Sequence, residues 1–184
     1  MAAAAPTPAL TPVAEKFVLH WGEMGQRWGI NRTVAQIHAL LFLSPRPLNA
    51  EEIAETLGVA RSNVSTSLKE LQGWGIVRVA RVMGDRRDHF ESMKDVWEMF
   101  RVILDERKKR ETDPTLQLLR ELAAEAKKPG AAEAHVRERL NDMLEFFELM
   151  TAWYEQTRKM PTQSVIRMCK LGDKVAKMLG VGTG

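Results

Sequence analysis

Apolar residues recur every three or four positions along most of this chain, and in one short stretch they alternate instead. Val13, Phe17, Trp21, Met24 and Trp28 share a helical face behind Thr11-Pro12, a capping hydroxyl followed by proline, and Gly29 ends that helix. A second helix, about Arg32 to Leu43, offers Val34, Ile37, His38, Leu40 and Leu41 to a core before Ser44-Pro45-Arg46-Pro47 stops it. Two short helices follow. Asn49 caps the first, Glu51 and Glu52 suit its first turn, Ile53 and Leu57 point inward, and Gly58-Val59 turns the chain. The second, about Arg61 to Gln72, buries Val64, Leu68 and Leu71. Ile76 to Met83 then alternates as a strand, Gly84 to Asp88 reads as a polar turn, and His89 to Ser92 returns as a second strand.

From Met93 onward the pattern is helical again. Val96, Met99, Phe100, Ile103 and Leu104 form one face, and Asp113-Pro114 kinks or restarts the helix ahead of Leu116, Leu119, Leu122 and Ala126. Pro129-Gly130 is a break. Beyond it, Val136, Leu140, Met143, Phe147, Met150 and Tyr154 step by four and three, a coiled-coil seam, with Leu144, Phe146, Leu149 and Trp153 widening the apolar surface. Met160-Pro161 opens a final helix carrying Val165, Met168, Val175 and Leu179.

This pattern predicts a mainly α fold with a small β-hairpin wing, a winged helix-turn-helix joined to a helical dimerisation extension. The expected divisions are a disordered tail over 1–10, the winged unit with its leading helices over 11–92, and a helical dimerisation or effector region over 93–184. A hydrophobic content of 45% can build a core, and no apolar run approaches the roughly 18 residues that span a membrane. The N-terminus has no basic start, apolar region or cleavage site, and the single Cys169 suits a reducing compartment, so a cytoplasmic protein is expected. No nucleophile motif or phosphate-binding glycine loop is present, and the four histidines share no ligand spacing with cysteines or acids. Neither catalysis, a metal nor a cofactor is expected.

Charge is informative only locally. The net charge is +3, but between Gly58 and Arg87 six basic residues face two acidic ones, a local +4, and the acids flanking this stretch return 46–91 to about zero. Within the stretch, burying Ile53, Leu57, Val59, Val64, Leu68 and Leu71 leaves Arg61, Ser62, Asn63, Ser65, Thr66 and Lys69 outward or on the flank of the second short helix. Such side chains hydrogen-bond base edges and phosphates when a helix enters the major groove. Arg86 and Arg87 in the wing suit a minor groove, whose negative potential attracts guanidinium groups. Together these point to double-stranded DNA as the partner.

The stretch from Leu48 to Ser65 resembles the helix-turn-helix of MarR-type regulators, and Gly75 to Arg78 followed by Gly84 to Phe90 resembles their wing. Trp97, Asp113-Pro114 and the helical tail bring it nearer the GbsR branch. Ala60 departs from the capping Ser or Thr usual in that family. The resemblance covers about residues 15 to 180 and implies a homodimeric transcriptional regulator, with repression the expected mode, often responding to a small molecule. Leu140, Met143, Phe147 and Met150 are the expected dimerisation residues. Trp21, Trp28, Phe42, Trp97 and Phe100 are candidates for an effector pocket; the resemblance to the GbsR branch implies a choline-like cation as one such effector, which aromatic faces would hold, and core packing is the alternative for all five. Arg107 to Arg110 is a basic run bracketed by acids and reads as a solvated face, with phosphate contact the alternative. A winged-helix protein–protein adaptor without DNA binding is the alternative function, since fold alone does not decide it.

Overall fold

The computed structural model describes residues 10–128, 130 and 133–171. The expected N-terminal tail up to residue 9, Pro129, and Val175 and Leu179 of the last helix lie outside the described residues. The chain forms two compact units, Met1–Val102 and Ile103–Gly184, where the sequence pattern placed a boundary at 92/93.

In the first unit, helix α1 (Pro12–Arg27) starts as expected, with the Thr11 hydroxyl accepting from the Ala14 amide at 3.3 Å. Its buried face differs from the expected one. Val13 and Trp28 are exposed, and Val18, Gly22 and Gly25 are the positions that bury. Small residues decide this, because they let α1 approach α2 (Arg32–Leu43) closely: a Cβ on Gly25 would sit 2.5 Å from the Ala35 Cβ. The Asn31 side chain caps α2 through the Thr33 amide at 2.8 Å. Every residue of α2 from Ile37 to Leu41 is buried, so it forms the centre of the unit, in contact with α1, α3, α4 and β3.

Strand β1 (Leu48–Asn49) is too short to leave a pattern and was not expected. Asn49 both ends it and caps α3 (Ala50–Leu57), its Oδ1 accepting from the Glu51 and Glu52 amides while Glu52 reaches back to the Asn49 N–H at 2.8 Å. Gly58 takes the left-handed conformation at φ 62° that ends α3, and the turn leads to α4 (Arg61–Gly73). Ile53, Val64, Leu68 and Leu71 are buried as expected, while Leu57 and Val59 are only half-buried.

Strands β2 (Val77–Val82) and β3 (Asp85–Ser92) form the wing, and β1 adds to the far edge of β3, giving an antiparallel sheet of order β1-β3-β2. The wing turn is shorter than the expected Gly84–Asp88: only Met83 and Gly84 connect the strands, and Arg86 and Arg87 belong to β3. The register explains how both remain outside. Ala80 pairs with His89 but Val82 pairs with Asp85, so Arg86, Arg87 and Asp88 bulge opposite Arg81 alone. A strand without a bulge would turn one of two neighbouring arginines inward.

After β3 the chain enters α5 (Val96–Arg107), a π-helical turn (Lys108–Thr112) and α6 (Asp113–Glu125). The wider turn meets Pro114, which lacks an N–H and whose ring crowds the carbonyl four residues back. Helix α7 (Ala134–Arg158) packs on α6 in the second unit, and α8 (Thr162–Lys170) follows. Tyr154 donates to the Asp105 carboxylate, which also accepts from Arg158 at 3.0 Å, and Lys108 bridges Asp113 and Glu155. No helix among the described residues is long and apolar enough to cross a membrane.

His38 is a buried polar group on α2, 4% exposed, between the rings of Trp21 and Phe42 at 6.4 Å from each, and its Nε2 has no hydrogen-bond partner. Burial, and secondarily the Lys94 cation, lowers its pKa from 6.5 to about 4. The folded state therefore binds this proton more weakly than the unfolded chain. Stability is full above about pH 6.5 and falls as the pH drops toward 4, by about 3 kcal/mol in all. Urea melts across that range should show the decline in the wild-type chain and a flatter profile in His38→Phe; parallel profiles would mean that His38 titrates normally.

Candidate nucleic-acid interface

The buried side of α4 (Val64, Ser67, Leu68 and Leu71) sets what its other sides present. Arg61, Ser62, Asn63, Thr66 and Lys69 are exposed, and Ser65 is half-buried. Between α4 and the wing lies a cleft of about 340 Å³ lined by Arg61, Ser65, Lys69 and Gln72 on the helix side and by Val79, Arg87, Asp88 and Phe90 on the sheet side. The structure thus brings Arg61, Ser65, Lys69 and Arg87 to one place, while Ser62, Asn63 and Thr66 are exposed on the same helix outside the cleft lining. Arg86 is exposed on the bulge beside it.

Most of the basic groups here are already paired. Arg61 Nε donates to Glu51 Oε1 at 2.9 Å, Arg78 pairs with Glu91 and Arg81 with Asp88 at 2.7 Å each, and Arg87 Nε donates to Asp85 at 3.0 Å. The Arg61 hydrogen bond lowers the Glu51 pKa, and the Arg87 guanidinium holds the Asp85 carboxyl well below the usual range and is itself pushed up by it. Among the described residues, Lys69 and Arg86 have no ion-pair partner, and the Asn63 side chain has no hydrogen-bond partner. Each of these exposed ion pairs is worth little on its own. The surface can hydrogen-bond bases through Asn63 and Arg61 and neutralise phosphates through Lys69 and Arg86.

Glu51, Arg78, Arg81, Asp85 and Asp88 were not among the expected site residues. Their signal was the near-zero charge of 46–91, which means that the bases of the stretch have acids within reach. Of the aromatic candidates, Trp21 and Phe42 flank His38, and the Lys94 ammonium lies 5.8 Å from the Phe42 ring centroid, already taking the place of a cation. Trp28, Trp97 and Phe100 are exposed. Among the described residues, no cluster of three or more His, Cys, Asp or Glu side chains could hold a metal ion.

Residues 28–88 match the model of the MarR family. A crystal structure of a transcriptional regulator superposes with a TM-score of 0.61 at 21% identity, covering 80% of this chain and 96% of that one, so the fold is shared. A transcriptional regulator from Thermotoga maritima (17% identity, 78% of this chain and 90% of that chain, TM-score 0.37) and ZitR of Lactococcus lactis (16%, 77% and 99%, TM-score 0.32) are also similar. No curated protein matches the chain in sequence.

Ala60 supplies no capping oxygen at the start of α4, so the N–H groups of its first turn have no side-chain partner. Ala60→Ser should stabilise the chain by about 1 kcal/mol in a denaturant melt; an unchanged midpoint would show that those amides are already satisfied.

Proposed function

We propose that this chain is a DNA-binding transcription regulator that acts as a homodimer on a near-palindromic operator, repression being the simplest consequence of a bound dimer. The observation that carries the reading is the cleft between α4 and the wing, with Asn63 and Lys69 on the helix and Arg86 on the bulge beside it, all three exposed and without a side-chain partner among the described residues. The family match over residues 28–88, and the regulator that shares the fold, support it. On this reading Asn63 contacts adenine N6 and N7 and Arg61 contacts guanine O6 and N7, each such contact being worth about 1–3 kcal/mol of discrimination. Two copies repeat the face, so half-sites fall about one helical turn apart or a multiple of it. The adaptor reading has one observation in its favour, the exposed Val82 and Met83 at the wing tip.

Dimerisation is supported by α7, none of whose residues is buried within the chain. Of the expected contacts, Leu140 and Phe147 are half-buried within their own unit, on a stripe with Leu144, Thr151 and Tyr154. Met143 and Met150 are exposed and continue into Phe146, Leu149 and Trp153, which are 56%, 68% and 54% exposed. We assign the dimer contact to this outer stripe. An amphipathic helix with two apolar sides needs a second partner.

A dimer that neutralises four to six phosphates should give a slope of about −4 to −5 for log K against log salt in anisotropy titrations of random duplex. In selection from a random pool, Asn63→Ala should relax one symmetric pair of positions, whereas Lys69→Ala should weaken all sequences alike. A wild-type chain that binds no duplex at low salt would turn the reading to the adaptor. For the dimer, Phe146→Glu with Trp153→Glu should give a monomer of unchanged helix content by light scattering and circular dichroism, since burying unpaired carboxylates costs several kcal/mol. A dimer that survives both changes must use another face.

A further inference from the structure

The DNA-binding reading makes no use of Glu51. Asn49 pins this residue in the first turn of α3, accepting from its amide at 3.0 Å, and its carboxylate lines the α4–wing cleft while holding Arg61 at 2.9 Å. Arg87 faces the same cleft and also acts on the Glu51 charge. A carboxylate at this place repels the phosphates that Lys69, Arg86 and Arg87 would attract, and a surface shaped for affinity alone would not keep it.

We propose that Glu51 is a specificity-determining residue, which withholds Arg61 from random phosphates and yields it only to a base edge with two acceptors. The proposal rests on the DNA-binding reading above. On a random sequence Arg61 exchanges its bond to one carboxylate for a bond to one phosphate, a near-even trade that leaves Glu51 unpaired beside a polyanion. On guanine the guanidinium gains two bonds in its own fork geometry for the one it gives up. The ion pair thus subtracts more from random binding than from operator binding. Both partners are about half exposed, so the exchange requires no rearrangement of the fold.

Glu51→Gln keeps the shape of the side chain and removes its charge. Relief of repulsion across about 6 Å of water is worth roughly threefold for each half-site, so roughly tenfold for a dimer, on any duplex. Random duplex gains further, because Arg61 becomes free to contact phosphate. Using an operator selected in vitro with the wild-type chain, the ratio of operator to random affinity should fall at least about threefold in Glu51→Gln, and the random-duplex salt slope should steepen by about one for each half-site. In an Arg61→Ala background the same change should raise both affinities equally and leave the ratio alone, closing the cycle. Equal gains on both duplexes with Arg61 present, or no gain on either, overturn the role of Glu51 and leave the DNA-binding reading standing. A wild-type chain that binds no duplex overturns both.

Discussion

Everything that the first unit can present to a partner depends on how α4 lies against α2. Val64, Leu68 and Leu71 are buried almost completely, and each such side chain contributes about 1.5–3 kcal/mol. Rolling α4 by one residue, 100° about its axis, would expose part of this set and turn Asn63 or Thr66 inward. Helix α2 does not roll in compensation, because neighbours cover it on several sides and Gly25 brings the Ala35 methyl hard against α1. Ser62, Asn63 and Lys69 therefore point outward through the burial of other residues, and the Thr66 hydroxyl donates only to the Ser62 carbonyl of its own helix at 3.2 Å.

The charges on this framework are balanced in pairs. Glu51, Asp85, Asp88 and Glu91 each hold an arginine, so the cleft presents a modest field at a distance and many exchangeable contacts at close range. The β3 bulge keeps Arg86 and Arg87 outside together. Lys94 works differently: its ammonium donates to the carbonyls of Leu41, Phe42 and Ser44 at 2.7–2.9 Å and so caps the C-terminal end of α2. The same cation stands near His38 and adds to the penalty for protonating it. One contact thus braces the central helix and sharpens its sensitivity to acid.

In the second unit the governing feature is that α7 carries apolar side chains on more than one side. The stripe of Leu140, Leu144, Phe147, Thr151 and Tyr154 is half-buried within the unit, with Tyr154 tied to Asp105. The stripe of Met143, Phe146, Met150 and Trp153 stays open. The two are about one residue apart in phase, which is why they read as a single seam.

The sequence by itself determined the helices, the caps at Thr11 and Asn49 and the turn at Gly58, because each depends on residues within about four positions of one another. It also determined the buried trio of α4, since the spacing of Val64, Leu68 and Leu71 admits one inward face. Only the tertiary structure decided the rest. Strand β1 exists because β3 is there to pair with it. Val18 rather than Val13 is buried on α1 because glycines let α2 approach on that side. Arg86 and Arg87 share an outward face because pairing with β2 forces a bulge, and the tight Met83-Gly84 turn follows from the same register. Glu51 meets Arg61 ten positions away because the α3–α4 turn folds one helix start onto the other. Which stripe of α7 turns inward was settled by packing on α6, since two apolar faces are equivalent until a neighbour covers one.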